Sequence, residues 1–97
     1  MPDRSVEIST SGRGGTIYYR EGHEEATFDW EFASSPALAL LFGARAEHWD
    51  ARYPWAAGRQ LEIFQFVAEE VARQKARGHL YELDLPGGTI TVLDKTH

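Results

Sequence analysis

From Glu25 to Phe32 apolar and polar positions alternate without a break: Ala26, Phe28, Trp30 and Phe32 hold one parity, and Glu25, Thr27, Asp29 and Glu31 the other. Successive strand side chains point to opposite faces, so this spacing predicts a half-buried strand with three aromatics inward and three carboxylates outward. Val6 and Ile8 alternate with Ser5, Glu7 and Ser9 in a first strand. Thr16 to Glu21 forms a second, with Ile17 and Tyr19 on one face and Tyr18 and Arg20 on the other. Gly22-His23 then makes a tight connection that pairs this strand with Ala26–Phe32 as an antiparallel hairpin. Ala37 to Phe42 is apolar on both parities, as expected of a central strand covered on both faces, although a short buried helix would read the same way.

A helical period replaces the strand period after Pro54. Leu61, Phe64, Val67, Ala68, Val71 and the aliphatic stem of Lys75 recur every three or four residues, and Ile63 and Phe66 widen the stripe. Pro54 suits an early helical position and Gly78 the left-handed position after the last turn. Gly58 weakens the start by about 1 kcal/mol if it is interior, which points to a helix that begins properly only after it. Period two returns with Tyr81, Leu83 and Leu85. Pro86-Gly87-Gly88 turns the chain, and Ile90 and Val92 face the core from a returning strand. The segment from Gly43 to Pro54 reads as a break. The resulting order is four strands, one long helix and two strands. It predicts an α+β domain spanning residues 1–97, with one mostly antiparallel sheet of five or six strands and the helix on one face.

The 97-residue length suits one core. A net charge of −5 repels phosphate backbones and favours basic partners, which argues against nucleic acid as a ligand. There is no cysteine, hence no disulfide framework or thiolate chemistry. Neither a signal-peptide core nor an apolar run of bilayer-spanning length is present, so no membrane association is expected and the chain reads as cytoplasmic.

Candidate chemistry is sparse. His23-Glu24-Glu25 resembles half of a zinc-helix motif, but Thr27 stands where the second histidine is needed. His48 and Asp50 flank Trp49, yet positions two apart do not face each other on a helix. His79 and His97 stand alone. Ser11-Gly12-Arg13-Gly14-Gly15-Thr16 is glycine-rich but leads into a strand, so it reads as a hairpin loop without the helix amides of a phosphate cradle. Asp29 and Glu31 lie about 7 Å apart on one strand face, but their solvent-facing setting lacks the apolar cleft that raises a catalytic carboxyl. No catalytic residue, metal or cofactor is expected. An acidic patch fares better: Glu21, Glu24 and Glu25 extend Asp29 and Glu31 along one hairpin. Trp49, Tyr53 and Trp55 before the helix either seal the core or, where exposed, anchor a partner.

Gly15-Thr16-Ile17-Tyr18-Tyr19-Arg20-Glu21, the Trp49 to Pro54 spacing, the Leu61–Arg73 helix with Ile63-Phe64 and Val67, and the following Tyr81-Glu82 together resemble small bacterial immunity proteins that neutralise polymorphic secreted toxins. The resemblance spans roughly residues 14–84. It implies a non-enzymatic inhibitor of a toxin domain encoded by the adjacent gene, with no catalytic residues to carry over. The expected partner-binding residues are Glu21, Glu25, Asp29, Glu31, Trp49 and Trp55. The alternative is an acidic phage-type inhibitor that mimics DNA, against which Arg20, Arg52 and Arg59 interrupt the acidic surface.

Overall fold

The structure, a computed structural model, describes residues 3–34, 37–76 and 80–93. Six strands form one sheet: β1 (Arg4–Ser11), β2 (Gly14–Glu21), β3 (Glu24–Phe32), β4 (Ala37–Phe42), β5 (Tyr81–Asp84) and β6 (Thr89–Leu93). Their order across the sheet is β1-β2-β3-β4-β6-β5, and every neighbouring pair is antiparallel. Two helices, α1 (Ala46–Arg52) and α2 (Gln60–Val71), sit between β4 and β5 in the chain. This is the α+β class expected from the strand and helix periods, with the sheet antiparallel throughout.

The hairpins close as the turn residues require. Glu21 pairs with Glu24 across Gly22-His23, and Asp84 pairs with Thr89 across the turn containing Pro86-Gly87-Gly88. The glycine-rich segment is shorter as a loop than its composition suggests, because Gly14 and Gly15 belong to β2. Trp30 reaches over β2 to donate its Nε1–H to the Ser9 carbonyl at 3.0 Å. A Cβ at Gly15 would fall 1.8 Å from that oxygen, so glycine is required by close approach rather than by flexibility.

Inward-facing Ile17, Tyr19, Ala26, Phe28, Trp30, Leu41, Ile90 and Val92 meet Ile63, Phe64, Val67, Ala68 and Val71 of α2 in one core. Phe28 meets Phe64 edge to face with ring centres 5.3 Å apart. Three apolar positions depart from expectation. Leu61 is 50% exposed, because the stripe that faces the sheet runs through positions 60, 63, 64, 67, 68 and 71. Phe32 shares the inward parity of Trp30 but is 57% exposed, since it lies at the end of β3 beyond the cover of α2. β4 is central in the sheet but covered on one face only: Leu41 is buried, whereas Phe42 is 39% exposed on the other side.

The expected long helix is broken at its start. Pro54–Ala56 is a single 3-10 turn, Gly58 takes φ +76°, and α2 begins at Gln60. The Asp50 carboxylate accepts the Gly58 N–H at 2.9 Å, which fixes this turn and gives Asp50 a structural role. After Val71 the helix widens into a π-turn over Ala72–Ala76, whose Gln74 donates to the Val6 carbonyl at the outer edge of β1. The Lys75 side chain and Gly78, both invoked for this helix, lie outside the described part. The segment read as a break contains α1. Its Trp49 is buried against Phe64, with ring centres 5.8 Å apart, and donates Nε1–H to the Ala56 carbonyl at 2.9 Å. Tyr53 follows one turn later and accepts the Thr27 N–H, capping β3 where β4 no longer pairs with it.

Gln60 is the one buried polar side chain among the described residues. Its Nε2 donates to the carbonyls of Ala44 and Leu85 at 3.1 and 3.0 Å, tying α2 to the segment before α1 and to the β5–β6 turn. The Leu85 oxygen also receives the N–H groups of Ala46 and Gly88. Gln60→Leu therefore strips the Ala44 carbonyl in particular, and a loss of roughly 1–3 kcal/mol in urea denaturation is expected.

Candidate protein-interaction surface

Among the described residues no helix covers the outer face of the sheet, and the register fixes what it displays. Asp29, Phe42, Thr89 and Asp84 are successive cross-strand partners on β3, β4, β6 and β5. Glu31, Leu40, Thr91 and Glu82 form the adjoining row in the same order. Each row therefore runs acid, apolar, threonine, acid. With strands about 4.8 Å apart and same-face residues about 7 Å apart along a strand, the four carboxylates stand at the corners of a rectangle of roughly 14 by 7 Å. The half-exposed Phe42 ring and Leu40 occupy its interior. Among the described residues none of the four corner carboxylates forms an ion pair. Asp84 also accepts the Gly87 N–H at 3.0 Å.

The six residues expected to bind a partner do not share this surface. Asp29 and Glu31 do. Glu25 shares the outer face, but Arg20 donates to it at 2.8 Å and to Glu7 on β1 at 2.5 Å, so its carboxylate is already engaged within the sheet. Glu21 has the parity of Ile17 and Tyr19 and therefore lies on the helix-bearing side, separated from the other carboxylates by the sheet itself. Trp49 is only 1% exposed and belongs to the core. Trp55 is partly buried on the helix side, stacked parallel to Tyr19 at 6.5 Å and edge-on to Tyr53 at 6.1 Å. The aromatic that does stand among the acids is Phe42. Its signal was the two-parity apolar run of β4 beside the polar parity of β3: neighbours that put carboxylates outward leave the outward residues of β4 uncovered.

Glu21 instead organises an ionic cluster. The Arg59 guanidinium grips it with two bonds, Nη1 to Oε2 at 2.9 Å and Nη2 to Oε1 at 2.7 Å, and also meets Glu62 at 2.8 Å. Tyr19 donates its hydroxyl to Glu21, and Arg4 spans Tyr19 at 2.8 Å and Glu62 at 2.6 Å. The Arg59 bonds pull the Glu21 carboxyl down from 4.5 to about 2 against the opposing effect of burial, with help from the Tyr19 hydroxyl and the Arg59 and Arg4 charges. Burial, followed by the bond to Glu21, pushes the Tyr19 hydroxyl up. A carboxylate so fully paired is a fastener between β2 and α2, poorly suited to proton transfer at neutral pH.

Among the described residues the histidines add no convergent site. His48 is exposed and lies 3.3 Å from Glu47, and His23 is exposed at the β2–β3 turn. His79 and His97 lie outside the described residues. Among the described residues, no group of three or more histidine, aspartate or glutamate side chains is placed to hold a metal ion, and no helix is long and apolar enough to cross a membrane.

Fold and surface thus define an α+β protein with a bare sheet face that pairs apolar and acidic residues. Comparison with known proteins finds no matching family model, curated protein or solved structure.

Proposed function

We propose that this chain is a non-enzymatic inhibitor of the immunity-protein kind, which binds a basic toxin domain through the outer face of its sheet. The observation that carries the reading is the rectangle of carboxylates around Phe42 and Leu40, which form no ion pair among the described residues. Unpaired acids steer a cationic surface during encounter, and an exposed aromatic supplies area that is desolvated on docking. The helix side is less suited to this role, because Glu21, Glu62 and Glu70 already have arginine partners. The same pairing disfavours a DNA mimic, which needs rows of free carboxylates over much of the surface, whereas Arg20, Arg59 and Arg73 consume them here.

Mixing the purified chain with the product of the adjacent open reading frame should give a stoichiometric complex on size-exclusion chromatography. Phe42→Arg, which places a cation at the centre of the acidic frame, should abolish the complex while leaving the urea midpoint nearly unchanged. A complex that survives Phe42→Arg would move the binding surface elsewhere on the molecule.

A further inference from the structure

β1 is an outermost strand of the sheet, paired with β2 through all eight of its residues without a register shift. The carbonyls of Asp3 and Ser9 point toward β2, where they receive the Gly22 N–H and the Trp30 indole N–H. Backbone groups alternate sides along an antiparallel strand, so Arg4, Val6, Ile8 and Thr10 direct their N–H and C=O groups away from the sheet. The Val6 carbonyl shows the same parity, since it accepts the Gln74 side-chain amide at 3.1 Å. Among the described residues no hydrogen bond reaches the backbone of Ile8 or Thr10 from that side. An edge in this condition is a template for a further strand, and sheets commonly guard it with proline, lysine, a bulge or an inward charge. β5, at the other edge, is guarded: it has four residues and turns Glu82 and Asp84 to the outer face, so two copies laid along it would oppose like charges. From Ile8 to Ser11 β1 has no such guard, and the neighbouring Glu7 is already held by Arg20.

We infer that this edge pairs with the same edge of a second copy of the chain, antiparallel and about a two-fold axis at Ser9. In that register Ile8 lies opposite the copy's Thr10, and each such pair exchanges both of its outward N–H and C=O groups. Ser9 then faces the copy's Ser9, and Glu7 faces the copy's Ser11, so no like charges are opposed. A two-fold contact requires a surface that is its own complement, and a run of free donors and acceptors with uncharged side chains meets that requirement. Centring the axis on Ile8 instead would bring the copy's Thr10 to Val6, where Gln74 already occupies the edge. The axis stands perpendicular to the sheet, so both α2 helices fall on one face of the joined sheet and both acidic frames on the other. The frames lie on β3 to β5, away from the seam, and the pairing therefore stands or falls independently of the proposed inhibitor role.

Sedimentation equilibrium of the intact chain over roughly 1 µM to 1 mM covers the weak association expected of so small an interface. The wild type should pass from one-chain to two-chain mass, with amide exchange at Ile8 and Thr10 slowing over the same range. Thr10→Pro deletes an outward N–H that β2 does not use, so it should weaken association about tenfold or more while preserving the fold. Ser9 is exposed, and Ser9→Lys or Ser9→Glu sets like charges face to face across the axis. Each alone should weaken association about threefold, whereas an equimolar mixture of the two should restore it to the wild-type level or above. Recovery in the mixture ties the contact to the Ser9 register. The proposal is overturned by one-chain mass throughout the range, which would leave the edge to another protein's strand, by dimers indifferent to Thr10→Pro, or by a mixture that associates no better than either Ser9 variant alone.

Discussion

Replacing Trp30 with alanine is expected to remove about 3–5 kcal/mol of stability, the range for deleting a large buried aromatic and leaving a cavity. The indole is 7% exposed, and three separate interactions end with it. It donates to the Ser9 carbonyl, it lies across Gly15, and it holds Phe32 edge to face. Because those contacts reach from β3 over β2 to β1, the loss should fall on the register of the whole N-terminal half of the sheet. Phe32→Ala removes a ring from the same parity but one already 57% exposed, so it should cost far less. Urea denaturation of both variants checks the pair. Equal midpoints for the two would contradict the placement of Trp30 as the internal member.

Glu21 makes the second large prediction. A carboxyl held from 4.5 down to about 2 in the folded protein contributes about 3 kcal/mol, since each tenfold change in proton affinity corresponds to about 1.4 kcal/mol. Its side chain is only 13% exposed, so solvent screens the Arg59 bonds weakly. The folded value lies below the unfolded one, so this contribution is complete above pH 4.5 and disappears as pH falls through 2. Glu62 and Glu70 are shifted in the same direction, chiefly by bonds from Arg59 and Arg73, and add to the acid sensitivity. Glu21→Gln should therefore lose about 3 kcal/mol at neutral pH and show a shallower decline in stability between pH 4.5 and 2. Thermal melts over that interval measure both effects. A variant as acid-sensitive as the wild type would remove Glu21 from the account.

The sheet was legible because alternation is local: Ala26–Phe32 and Thr16–Glu21 state their own faces, and the two-residue turn at Gly22-His23 fixes their register. The helix was legible for the same reason, down to the interruption at Gly58. What a single strand cannot state is which of its neighbours covers it. Glu21 was grouped with Glu25 and Asp29 by proximity along the hairpin, yet parity puts it with Ile17 and Tyr19, and the partner that explains it, Arg59, is 38 residues away. The short α1 escaped because seven residues give scarcely two turns of periodicity, and such a helix forms only when tertiary contacts such as those of Trp49 hold it. The acidic frame itself needed the register: Glu82 and Asp84 are more than 50 residues from Asp29 and Glu31 and join them only through the β4–β6 pairing.

The claim that this face receives a basic partner is tested most directly by the association rate constant with the protein encoded next to it. That constant should be measured across a salt series for the wild type and for a variant in which Asp29, Glu31, Glu82 and Asp84 become Asn, Gln, Gln and Asn. The account predicts slower association of the variant at low salt and a much flatter salt dependence, with dissociation little changed. Association at the wild-type rate with an unaltered salt slope would contradict it.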